Sequence, residues 1–273
     1  MRLILLFYIL LFPLYLQAQT NNNFAALLLS FHGKGTVVQD GFTSEIELPQ
    51  SYKINDTLLL SEGKASLLLA SGNEVRLSAG DKYIVPAVAP KDMIAPVDPS
   101  LFGDYEIQTQ SNSAFTIRGN DAKLHIYPLS SKLIDPAEAI LFWKIKDAKD
   151  VSISFSVIQL SSDEKIVDVN VAEDDYLSLD NIEFEKGEEY YWLFSIENTD
   201  MEEMGAITVL DNAEINELPE FKLDKKADYL KAYNYYMKNE FYFHAYEIIV
   251  EAQDRYPEAN LFSYLHNRLR FFN

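Results

Sequence analysis

The chain has 273 residues, with 23 Lys and Arg against 42 Asp and Glu, a formal charge of −19. Such a surface repels nucleic acid and anionic lipid headgroups, so no nucleic-acid partner is expected. With 48% hydrophobic and 13% aromatic residues the chain is nonetheless globular, and its lack of cysteine removes disulfides, thiolate catalysis and cysteine-rich zinc sites.

The first 18 residues read as a cleavable secretory signal peptide. Arg2 supplies the positive start, Leu3 to Leu16 an apolar stretch broken by Pro13, and Ala18 a small residue ahead of the polar run Gln19 to Asn23. The stretch is shorter than the roughly 20 apolar residues a spanning helix needs, although an uncleaved anchor is the alternative. No cysteine is present to carry a lipid, so a lipoprotein is excluded. The expectation is export to the periplasm or the extracellular face of a bacterial envelope, with no stable membrane span after cleavage.

Residues 24–88 form the first segment. Six of the ten glycines lie between Gly33 and Gly80, and turn residues recur every 8 or 9 positions. Asp56–Leu60, Ala65–Ala70, Glu74–Ser78 and Lys82–Val85 read as strands separated by turns at 61–64, 71–73 and 79–81, a small antiparallel meander or roll. The run LLLSEGKASLLLASGNEVRLSAGDKYIV resembles the periplasmic β domain of FecR-type sensor proteins over about 60 residues. That family places a membrane helix after a cytoplasmic segment, whereas this chain begins with a signal peptide, so its anti-sigma role is not carried over.

Residues 89–103, with Pro90, Pro96 and Pro99, read as an extended linker. The second segment, 104–215, reads as all-β. Val151, Ile153, Phe155 and Val157 alternate with serines, Val167, Val169 and Val171 alternate with polar residues, and Tyr190, Trp192, Phe194 and Ile196 form a third inward face. With Phe115–Arg118, Lys123–Tyr127, Ile140–Ile145 and Ala206–Leu210, about seven strands are expected. The layout AILFWKI, VSISFSVIQL, KGEEYYWLFSI resembles an immunoglobulin-like or fibronectin type III sandwich, which implies that Trp143 packs across the sheets on Tyr190 to Phe194.

In residues 222–273 the apolar period changes to three and four: Tyr229, Ala232, Tyr233 and Tyr236, then Phe241, Ala245, Ile248, Ile249 and Ala252. Two helices with a turn at Asn239-Glu240 are expected, closed by Pro257, then a third, capping helix. Residues 226–259 resemble one tetratricopeptide repeat, with Tyr229, Tyr236, Ala245, Ile249, Ala252 and Pro257 at motif positions. Tyr233 stands where the motif has a small residue and Ala232 where it has a leucine. One repeat cannot bury both its faces, so the hairpin must pack on the sandwich, continue into a cap or meet a partner.

No catalytic motif and no cofactor motif is present, and His32, His125, His244 and His266 are scattered without ligand spacing. Glu173, Asp174, Asp175 and Asp180 could hold calcium if a loop gathered them, although among 42 acids such a cluster also arises as a solvated loop. Tyr233, Tyr235, Tyr236, Phe241, Tyr242, Phe243 and Tyr246 are denser than one helix face requires. They read either as a protein-binding surface or as a contact between helices and sandwich. The resulting expectation is a mainly β, multidomain, non-enzymatic envelope protein: a β roll, an immunoglobulin-like sandwich and a C-terminal helical hairpin with a capping helix. Its role would be a scaffold or a module for an envelope protein partner. The alternatives are a sensor subunit of envelope signalling and cell-wall glycan binding by the sandwich.

Overall fold

The computed structural model describes residues 24–87, 123–128, 130–135, 137, 139–146, 152–171, 176–196 and 202–271. The signal segment, the linker, the strand expected at 115–118 and Glu173, Asp174 and Asp175 lie outside the described residues. The rest is mainly β with a short C-terminal helical region.

The first unit is a six-stranded sheet built on one long antiparallel ribbon, β1 (Phe24–Gln39) against β4 (Thr57–Leu69). The strands β2 (Phe42–Glu45) and β3 (Ser51–Lys53) pair with β1, and β5 (Glu74–Ser78) and β6 (Lys82–Ile84) with β4. Here the structure corrects the sequence reading, because residues 61–64 are not a turn between two strands but the middle of β4. Gly63 stands opposite Gly33 in the ribbon, with φ of 83° and 136°. A Cβ on Gly63 would overlap the His32 carbonyl and one on Gly33 the Glu62 carbonyl. The glycines allow the two backbones to approach closely and to take positive φ within a continuous ribbon. Strand β1 carries no alternation in the sequence, because Ala25 to Leu29 are all buried.

The second unit is a sandwich of two sheets. One has the order β11-β10-β13-β14-β8, made of β8 (Ser130–Leu133), β10 (Ile153–Gln159), β11 (Glu164–Val171), β13 (Glu189–Ile196) and β14 (Glu202–Val209). The other is β12-β9-β7, made of β7 (Lys123–Tyr127), β9 (Ile140–Lys146) and β12 (Tyr176–Ser178). Ile153, Phe155, Val157, Tyr190, Trp192, Phe194 and Ile196 all point into a shared core with Ile126, Leu141 and Trp143. Trp143 meets Phe194 at 5.3 Å between ring centroids. On the valine face of β11, Val167 and Val171 pack against the core, and Val169 departs from expectation at 42% exposure on the edge strand.

Four helices follow: α1 (Asn212–Asn216), α2 (Lys226–Lys238), α3 (Tyr242–Arg255) and α4 (Asn260–Phe271). The short α1 is held by a capping box, with Asp211 accepting from the Ala213 and Glu214 N–H groups and Glu214 accepting from the Asp211 N–H.

Candidate functional site

Strand side chains alternate between faces, and both β units use that alternation to feed two cores. In the first ribbon Leu28 and Leu67 enter the core of the unit, while their neighbours Leu27, Leu29 and Leu68 point out of it. In the sandwich Leu141 and Trp143 face inward, while Phe142 and its register partner Tyr127 face outward. All five outward residues are buried in one further core with Tyr229, Leu230, Tyr233, Ala245, Ile249, Leu261, Phe262, Leu265 and Leu269 of the helices. The helical segment is therefore the joint between the two β units.

The aromatic run divides accordingly. Phe243 belongs to the sandwich core, Tyr233 to the joint, and Phe241 is 4% exposed. Tyr242 lies 5.8 Å from the Tyr127 ring and Tyr246 4.8 Å from Phe142, and the Tyr246 hydroxyl shares a 3.1 Å hydrogen bond with His266 Nε2. Of the two readings of these seven residues, Tyr233, Phe241 and Phe243 fit the internal one, since they are buried inside the chain where the sheets are covered. Burial raises the Tyr233 hydroxyl pKa against the opposing charge of Arg268. Tyr235 and Tyr236 are half-buried beside Phe221, at 5.4 and 5.6 Å from its ring.

A row of polar contacts fixes α3 to the sandwich edge. The Lys132 N–H donates to the Glu240 carbonyl at 2.8 Å, and the Tyr242 N–H donates to Ser131 Oγ at 3.1 Å. Ser131 thus acts as a non-local cap, since Phe241 at the N-cap position offers no side-chain acceptor. The Ile134 N–H donates to His244 Nε2 at 3.0 Å, and Lys132 pairs with Glu240 at 3.6 Å.

A cleft of about 340 Å³ lies between the first unit and the helices, lined by Glu74, Arg76, Lys225, Lys226, Tyr256 and Glu258 among others. The Lys226 ammonium, with a side chain only 9% exposed, reaches Glu74 and Glu258 at 2.9 Å each and sits 5.4 Å from the centre of the Tyr256 ring. Burial opposes its charge, but the hydrogen bonds to Glu258 and Glu74 outweigh that and raise its pKa; the Lys226 hydrogen bond in turn holds the Glu258 carboxyl below its usual range. Sequence reasoning missed Ser131, Glu74, Lys226 and Glu258, whose partners lie up to 152 residues away.

Of the calcium residues, only Asp180 is described; it is exposed on a turn and accepts from Asn181 Nδ2 at 2.8 Å. Among the described residues no group of three His, Asp or Glu could hold a metal ion, and no helix is long and apolar enough to cross a membrane.

No family model matches the chain, and no curated protein matches it. It is similar to a solved structure described as a cell surface anchoring domain, at 17% identity and a TM-score of 0.23, over 23% of this chain and 87% of the other. At that score the likeness brings neither a fold nor a role to this chain.

Proposed function

We propose that this is an exported, non-enzymatic scaffold of the bacterial envelope, which holds two β units in a fixed relation for a protein partner. The observation that carries the reading is the joint, in which Leu27, Leu29 and Leu68 of one unit and Tyr127 and Phe142 of the other are buried by the same three helices. A single core contacting both units resists relative motion, unlike the small, polar interfaces typical of mobile domain pairs. The signal-like N-terminus and the acidic surface support export and solubility. The Trp143–Phe194 contact supports an immunoglobulin-like reading of the sandwich. In this account the helices act inward as a brace. The surface left for a partner is the half-buried cluster of Tyr235, Tyr236 and Phe221 together with the outer faces of the sheets.

Co-purification from envelope extracts, comparing the full chain with one lacking residues 222–273, tests the reading. Loss or replacement of the partners captured by the full chain is expected. An identical set captured by both would sink it.

A further inference from the structure

Strand β8 ends the five-stranded sheet, pairing only with β14 among the described strands. Among the described strands its other side has no strand partner; such an edge is a template for strand addition and is commonly covered by a helix or loop. Here the cover is the α2–α3 turn and the start of α3, through the Lys132 N–H to the Glu240 carbonyl and the Tyr242 N–H to Ser131 Oγ. The cover is fastened at its far end by one titratable group. His244 is 6% exposed, and its Nε2 accepts the Ile134 N–H at 3.0 Å.

We propose that His244 is an acid-released fastener that keeps the α2–α3 turn seated on the edge of β8 away from β14. A ring nitrogen that accepts a backbone N–H carries no proton, so His244 holds its single proton on Nδ1, which lies 3.8 Å from Glu247. Protonation places a second N–H on Nε2, pointing at the Ile134 N–H. Two donors then face each other and the contact is lost.

The surroundings bear on when this happens. Burial and the N-terminal turn of α3, where His244 is the third residue, both disfavour the cation. Glu247 on the same helix favours it, at 44% side-chain exposure. From α2, Tyr236 packs its ring 5.7 Å away, and Phe241 packs at 6.2 Å. Among the described residues on the β8 side, Lys132 is paired with Glu240, and Asp135 accepts from the Ala137 N–H. The closed state is the one the geometry shows, with His244 Nε2 accepting the Ile134 N–H. The fastener opens as acid forces the proton on. An exported protein meets the pH of its surroundings, and the uncovered edge would then be available to a partner strand.

The test is amide hydrogen exchange of the full mature chain at about pH 7.5 and about pH 5, spanning the range where histidine titrates, corrected for intrinsic rates. Protection at Lys132, Ile134 and Tyr242 is expected to fall roughly tenfold on acidification, the scale of one lost hydrogen bond, while Leu67 and Val157 hold theirs. His244→Gln keeps an acceptor without a titrating proton and should abolish the change. Unchanged protection in the wild type, or an equal fall in the variant, overturns the proposal. Should the variant fail to fold, nitrogen NMR of the wild type decides. The Ile134 amide must shift together with the His244 ring titration; a ring already charged at neutral pH, or an indifferent Ile134 amide, overturns the idea.

Discussion

Gly63 and Lys226 each hold a place that other residues would disturb, for opposite reasons. At Gly63 any side chain both strains a positive φ and meets the His32 carbonyl, so Gly63→Ala is expected to cost about 2 kcal/mol or more. Gly41 has a similar φ, but a Cβ there meets nothing within 4 Å, so Gly41→Ala should cost only about 1 kcal/mol. Urea unfolding of the two variants separates contact from strain. Lys226 is the opposite case, a charge that two carboxylates require. Lys226→Met leaves Glu258 without its lysine and Glu74 with Arg76 at 3.4 Å, and is expected to destabilise by about 2 kcal/mol. The pH dependence follows from the directions of the shifts. Glu258 is held low, so its contribution is complete above the unfolded carboxyl value of about 4.3 and is lost as the pH falls through the lower folded value. Lys226 is held high, so its contribution is complete below about 10.4 and is lost as the pH rises through the higher folded value. Between those limits the wild type should exceed Lys226→Met in unfolding midpoint by a constant margin. A margin that vanishes near neutral pH would contradict the clasp.

The elements differ in how openly they announce themselves. Strands β10 and β13 were readable because one face meets the core and the other meets solvent or serine, giving a clean period of two. The helices were readable from their period of three and four. Strand β1 was not, because Ala25 to Leu29 are buried on both faces and the alternation disappears. The same holds for Leu67 to Leu69 and for Leu141 to Trp143, where the strand was seen but not its second buried face. Those continuous apolar runs were the available signal for the joint, since a sheet apolar on both sides needs a cover on both. The polar fastening at β8 left no local signature: Ser131 and Tyr242 are 111 residues apart. Its weight at this scale is nonetheless specific. Ser131→Ala removes the acceptor for the Tyr242 N–H and is expected to cost about 1 kcal/mol, as loss of a helix cap does, whereas Ser130→Ala, at an exposed position, should be near neutral. Thermal denaturation of both variants provides the comparison.

At the scale of the whole molecule, the helical segment turns two β units with separate cores into one body. Taking away residues 222–273 would expose Leu27, Leu29, Leu68, Tyr127 and Phe142 together, an apolar surface large enough to drive association. The truncated chain is therefore expected to bind a hydrophobic dye and to unfold in two steps where the full chain unfolds in one. The central claim is that both β units depend on the same helical core. Hydrogen exchange of Leu265→Ala, a fully buried position in α4, tests it most directly. A cavity there should cost about 2–5 kcal/mol. The account predicts that protection falls together in β1 and β4 of the first unit and in β7 and β9 of the sandwich. Loss confined to α2, α3 and α4, with both β units unchanged, would contradict it.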